Sequence, residues 1–199
     1  MAWGTRRPGR GVRGVAATVL SAFGLTLAVS IALAWGPGVA SAGAACPHAD
    51  AHPRDVPLPK IRKAITCLIN QKRTKQHRRA LEPNAKLQSA AQGHNDVMLA
   101  NDCFRHECPG EPGLTKRVRR TGYLKNQRAW RFAENLGFDQ TPLDMIRAWL
   151  HDPFNRRNIF NDTFRDVGVG VGWGAPKPGL DDRDFATYTV VFAFRKPRR

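Results

Sequence analysis

Acidic residues are scarce in this chain: 16 Asp and Glu stand against 32 Lys and Arg over 199 residues, a formal net charge of +16. That excludes an acidic disordered chain, and 18 Gly with 14 Pro are too few for a collagen-like repeat. The length is too short for a large multidomain enzyme and suits one compact domain. Cysteine is limited to four residues with no C-x-x-C pair among them, which leaves out the usual zinc-ribbon spacing. No G-x-S-x-G is present, so the serine nucleophile elbow is missing. Neither an RNP-type aromatic pattern nor a zinc finger accompanies the positive charge, and no nucleic-acid partner is expected.

The first 42 residues hold no acidic side chain at all. Arg6, Arg7, Arg10 and Arg13 precede an apolar run from Val15 to Trp35, followed by Gly36-Pro37-Gly38 and Val39-Ala40-Ser41-Ala42. A basic start, an apolar stretch and an A-x-A site predict a secretory signal peptide over 1–42, with cleavage after Ala42. The competing reading is an uncleaved anchor, because the run is long enough to span a bilayer. Cleavage leaves 157 residues with a net charge of +12. Residues 43–58 read as an extended N-terminal arm and 59–199 as the domain.

Export favours disulfides over free thiols. Four cysteines allow three pairings. Cys103 and Cys108 enclose a short loop, while Cys46 lies in a Pro/His-rich lead-in and Cys67 in a helical pattern, which favours Cys103–Cys108 with Cys46–Cys67. The alternative for Cys103, His106 and Cys108 is structural zinc, for which no fourth ligand is evident.

Ile61, Ala64, Ile65, Leu68 and Ile69 recur at helical spacing from Pro59 onward. A second helix is expected near Pro83, with Leu87, Ala90, Ala91, His94, Val97 and Met98 on one face. On that apolar face His94 reads as a satisfied, partly buried histidine. A short basic helix spans 114–120 and stops at Gly122-Tyr123. Thr141 and Asp152, each followed by Pro, are N-cap signals for two further helices. Strands are expected over 167–173 and 185–194, giving an α+β fold with helices on a small, mainly antiparallel sheet. The run Gly168-Val169-Gly170-Val171-Gly172 imitates a dinucleotide fingerprint, but it continues a strand toward Pro176 instead of opening a helix. No nucleotide site is expected; close approach of another element over the glycines is. Trp130 and Trp149 read as core or cavity-wall aromatics.

Five stretches then line up: Leu68-Ile69-Asn70-Gln71-Lys72-Arg73, Cys103-Phe104-Arg105-His106, Ala133-Glu134-Asn135-Leu136, Trp149 through Ile159, and Asp166-Val167-Gly168-Val169-Gly170. In order and spacing they resemble the CAP (SCP) superfamily of cysteine-rich secretory, antigen 5 and pathogenesis-related proteins, in its compact bacterial branch. The likeness runs from about Ile65 to Phe194. It implies an α-β-α sandwich, an extracellular location, and a cleft gathering two His and two acidic residues that holds a divalent metal in some members. Carried over by position, His106 matches the first His and Glu134 the Glu of G-E-N. Asn155 stands where the second His is expected, and Asp152 falls near the second acidic position. With His151 these five residues are the candidate cleft, His106 and Glu134 being the candidate acid–base pair of a hydrolase. A carboxamide is a poor base and a poor transition-metal ligand, so Asn155 weakens a zinc site and no cofactor is expected. Arg105 replaces the family's Ser.

Basic residues concentrate in 72–79, 116–120 and 195–199. Such clusters hold polyanions through counterion release, and an exported protein meets anionic cell-wall polymer or membrane surface. A solvated basic surface is the plainer reading.

Overall fold

The apolar stripe that begins at Ile61 needs a partner surface, and the glycine–valine run near the end of the chain supplies half of it. The computed structural model describes residues 45–180 and 184–198; the expected signal peptide lies outside them. Helix α1 (Leu58–Lys75) buries Ile61, Ala64, Ile65, Leu68 and Ile69. A two-residue strand β1 (Glu82–Pro83) leads through the N-cap Asn84, whose side chain accepts from the Lys86 and Leu87 amides, into α2 (Ala85–Ala100). After the Cys103–Cys108 loop come α3 (Leu114–Arg120), β2 (Gln127–Asp139), α4 (Pro142–His151), α5 (Pro153–Phe160), β3 (Asp166–Trp173) and β4 (Ala186–Pro197).

The four strands lie in the order β1-β3-β4-β2, with β1 parallel to β3 and the other pairs antiparallel. One face of the sheet carries α1, α4 and α5 around Ile65, Trp149, Phe164, Val169 and Phe192. The other carries α2 and α3 around Leu87, Ala91, Val118, Tyr123 and Val191. Helices on both faces give an α-β-α arrangement of the α+β class. No helix among the described residues is long and apolar enough to cross a membrane.

The β3 glycines are there for close packing. A Cβ on Gly168 would lie 2.2 Å from the Leu87 carbonyl carbon and 2.3 Å from the Gln88 nitrogen; on Gly170 it would lie 2.5 Å from the Ala91 oxygen. These are backbone atoms of α2, which cannot swing aside as a side chain can. Gly168→Ala is therefore expected to destabilise the protein by about 2 kcal/mol, and Gly170→Ala by a similar amount, as midpoint shifts in urea unfolding.

Several expectations need correction. Residues 45–57 are not extended but form successive turns, closed by Ala49 N–H to Cys46 O and Asp55 N–H to His52 O. The turns are docked by Leu143 N–H to Ala49 O and by Trp173 Nε1–H to Pro53 O. Strands β1 and β2 were not anticipated, and β4 runs three residues beyond Phe194. Of the two expected aromatics, Trp149 is core, donating from Nε1 to Leu136 O, and Trp130, 41% exposed, is cavity wall. The basic clusters are not wholly surface. Arg73 is fully buried, donating to the carbonyls of Arg79, Ile159 and Asn161 and so tying α1 to the end of α5. Burial, with Arg165 and Arg78 nearby, brings its pKa down to about 10.

Candidate functional site

Strand β2 sets the site by alternation. Phe132 and Glu134 face α2 and α3, with Phe132 6.1 Å from the Tyr123 ring, while Ala133 and Asn135 face the other helical layer. Glu134 is thereby carried under α3, where Arg117 meets it. Arg117 Nη2 donates to both Glu134 oxygens, at 3.1 and 2.9 Å, and to the His106 carbonyl at 3.1 Å. Arg117 Nη1 donates to Glu111 Oε1 at 3.3 Å. Both carboxylates and the guanidinium are nearly sealed, with side-chain exposures of 3%, 6% and 6% for Glu134, Glu111 and Arg117.

The two histidines differ. His94, fully buried on α2, donates from Nδ1 to Glu111 at 2.8 Å and brings Nε2 to 3.9 Å from Glu134 Oε1. His106 donates from Nδ1 to Glu134 Oε1 at 3.0 Å, yet its side chain is 68% exposed. It roofs the cluster from the Cys103–Cys108 loop. That loop is closed by its disulfide and by the Cys108 amide donating to Glu111 Oε2 at 3.3 Å. A groove of about 440 Å³ beside it is lined by Asn101, Asp102, Cys103, Phe104, Arg105 and Pro109. A larger cavity of about 590 Å³ lies elsewhere, between α1 and the start of α2, bordered by Lys63, Asn70, Asn84 and Gln88.

The five expected cleft residues thus fall into two groups. His106 and Glu134 are brought together. Asn155 belongs to a neighbouring staple, its carbonyl accepting from Asn135 Nδ2 at 3.2 Å; Asn158 Nδ2 donates to Asn135 Oδ1 at 2.9 Å. Asp152 is the N-cap of α5, accepting the Asn155 amide at 2.7 Å. His151 is exposed at the C-terminus of α4, with no side-chain hydrogen bond among the described residues. His94 is hydrogen-bonded as expected but fully buried, and its partners make it part of the site. Glu111 and Arg117 were not anticipated. Arg117 was hidden inside a basic run, and its burial beside Val118 on a seven-residue helix is the only local signal.

The resemblance raises a divalent metal, and the donor set does not fit one. Both Glu134 oxygens accept from a guanidinium, and where the second His is expected the chain has Asn155, a poor transition-metal ligand. Among the described residues no group of three or more His, Cys, Asp or Glu converges as a metal site. Cys103 and Cys108 are joined to each other, so neither thiol is available for structural zinc.

Residues 67–192 match the model of the cysteine-rich secretory protein (CAP) family. The chain belongs to that family. A curated relative, the uncharacterized protein YkwD of Bacillus subtilis, is 26% identical over 117 residues, covering 54% of this chain and 41% of that protein. An outer surface protein of Borrelia burgdorferi superposes with a TM-score of 0.59 at 18% identity, over 71% of this chain and 97% of its own. An extracellular SCP-domain protein of Bacillus anthracis does so with 0.54 at 22% identity, over 71% and 44%. This CAP chain spans less than half the length of the two Bacillus proteins. These likenesses establish a CAP domain; at this identity they speak to fold.

Proposed function

We propose that this CAP protein is secreted and acts as an extracellular binding module through the surface that His106 presents. The observation that carries this reading is that Glu134 lies sealed beneath His106 with both oxygens engaged by Arg117. A carboxylate so committed, at 3% exposure, orients an imidazole well but is shielded from a substrate. What remains outside is one unpartnered imidazole nitrogen, flanked by Phe104 at 42% exposure and by exposed Arg105. Secretion is supported by the N-terminal pattern, by all four cysteines being paired, and by the outer-surface and extracellular descriptions of the similar structures.

A second reading, an extracellular hydrolase, rests on the His106–Glu134 hydrogen bond, since an oriented imidazole with a free nitrogen can take a proton. A panel of chromogenic peptide, ester and glycoside substrates separates the two. A hydrolase of this type loses about 10²-fold or more of its turnover in both His106→Ala and Glu134→Gln. The binding reading expects no turnover that depends on His106. It also expects His106→Ala, which removes a single exposed hydrogen bond, to cost only about 1 kcal/mol of stability. Intact-mass measurement on the exported protein tests the location: a chain starting at Gly43 is expected, and a full-length chain held in the membrane fraction would favour the anchor.

A further inference from the structure

Away from His106, a second concavity forms where α3 ends and the chain turns into β2. A hollow of about 300 Å³ is lined by Arg119, Leu124, Lys125, Gln127, Trp130 and Arg198, and no acidic residue borders it. Its walls come from three places. The turn through Asn126, at φ +60°, accepts the Arg198 amide on its carbonyl at 3.0 Å and brings the C-terminal strand alongside. A register shift between Gln127 and Ala129 marks a bulge at the start of edge strand β2, a place where bulges re-aim side chains. Helix α3 stops at Arg120, and Trp130 remains 41% exposed.

The three cations are uncommitted: Arg119, Lys125 and Arg198 are exposed, and none forms an ion pair among the described residues. Neighbouring Arg195 shows the contrast. It sits 4.3 Å over the Tyr123 ring and 3.7 Å from Asp166. An indole in a concave basic setting suits a ligand that is flat and apolar on one side and anionic on the other. A lipid surface needs a protruding apolar edge, and a single strand of nucleic acid needs a succession of aromatic platforms. The hollow has one aromatic, set among cations.

We propose that this hollow binds a phosphate-bearing glycan of the cell exterior, with the phosphodiester held by Arg119, Lys125 and Arg198 and a sugar ring laid against Trp130. The choice of an exterior glycan rests on the extracellular placement above. The site itself is independent of His106.

Calorimetric titration of the purified protein tests this with a phosphodiester-linked mannose oligosaccharide, its dephosphorylated form, oligothymidylate and phosphatidylglycerol vesicles. The phosphorylated oligosaccharide is expected to bind at least tenfold more tightly than the other three probes. Trp130→Ala is expected to weaken it at least tenfold. Lys125→Gln with Arg198→Gln, both at exposed positions, should weaken it and flatten its salt dependence. Arg156→Gln with Arg157→Gln on α5 should bind as wild type. Unchanged affinity in the Trp130 and Lys125/Arg198 variants, equal binding of the dephosphorylated form, or preference for oligothymidylate or vesicles would overturn the proposal. The exported N-terminus, measured separately, shows whether the extracellular placement fails instead.

Discussion

Replacing Arg117 with methionine is expected to destabilise the protein by about 3–5 kcal/mol. Among the described residues, the guanidinium is the only cation hydrogen-bonded to two carboxylates that are themselves almost without solvent. Methionine keeps much of the volume and removes the charge, leaving Glu111 and Glu134 buried with the histidines and the Cys108 amide as their remaining partners. That is the costly way to break a buried ion pair. Removing the matching acids' charges together with the arginine is far cheaper, because no charge is then left buried without its partner. Arg117→Met combined with Glu111→Gln and Glu134→Gln should therefore recover a substantial part of the loss in urea unfolding. If Arg117→Met alone costs less than about 1 kcal/mol, the cluster is not electrostatically coupled in the way described.

The second large effect concerns the N-terminal turns. Cys46 is joined to Cys67 across 21 residues, and the intervening chain is docked by Ala49 O, Pro53 O and the buried ring of Pro53. In the chain-entropy account, closing a loop of this length contributes about 3 kcal/mol, against about 2 for the short Cys103–Cys108 loop. Cys46→Ser with Cys67→Ala is expected to lower stability by about that larger amount and to open residues 45–57 to proteolysis. Trp173, whose indole donates to Pro53, should report the opening by fluorescence. Cys103→Ser with Cys108→Ser should act differently: a smaller stability loss, but a mobile His106, because that loop alone carries the roof of the site.

Much of this molecule was legible in the residues. Helices α1, α4 and α5 announce themselves through an apolar stripe or a Thr/Asp-Pro cap, and both depend only on local backbone geometry. The reading of the β3 glycines as a surface for another element was right, since alternation with valine has a single packing meaning. Strand β2 was missed for a physical reason. Its first half runs along a sheet edge with Arg128, Trp130 and Arg131 exposed, and its buried half includes Glu134, so no apolar alternation is left to see.

The candidate site was legible only where motif and chemistry coincide, at His106 and Glu134. Glu111 and Arg117 acquire their role from contacts across 17 or more residues, His94 to Glu111 and Arg117 to Glu134, and no periodicity encodes such pairings. Arg117 also illustrates what composition conceals. In a chain with 32 basic residues, a buried structural arginine looks like any other.

Hydrogen bonds and Arg117 hold the His106–Glu134 pair, and the proposed binding role requires no metal ion there. Calorimetric titration of the purified protein with zinc measures this directly. The expected result is no stoichiometric binding in the submicromolar range, with wild type and His106→Ala giving the same weak trace. A stoichiometric, submicromolar site that His106→Ala abolishes would contradict it.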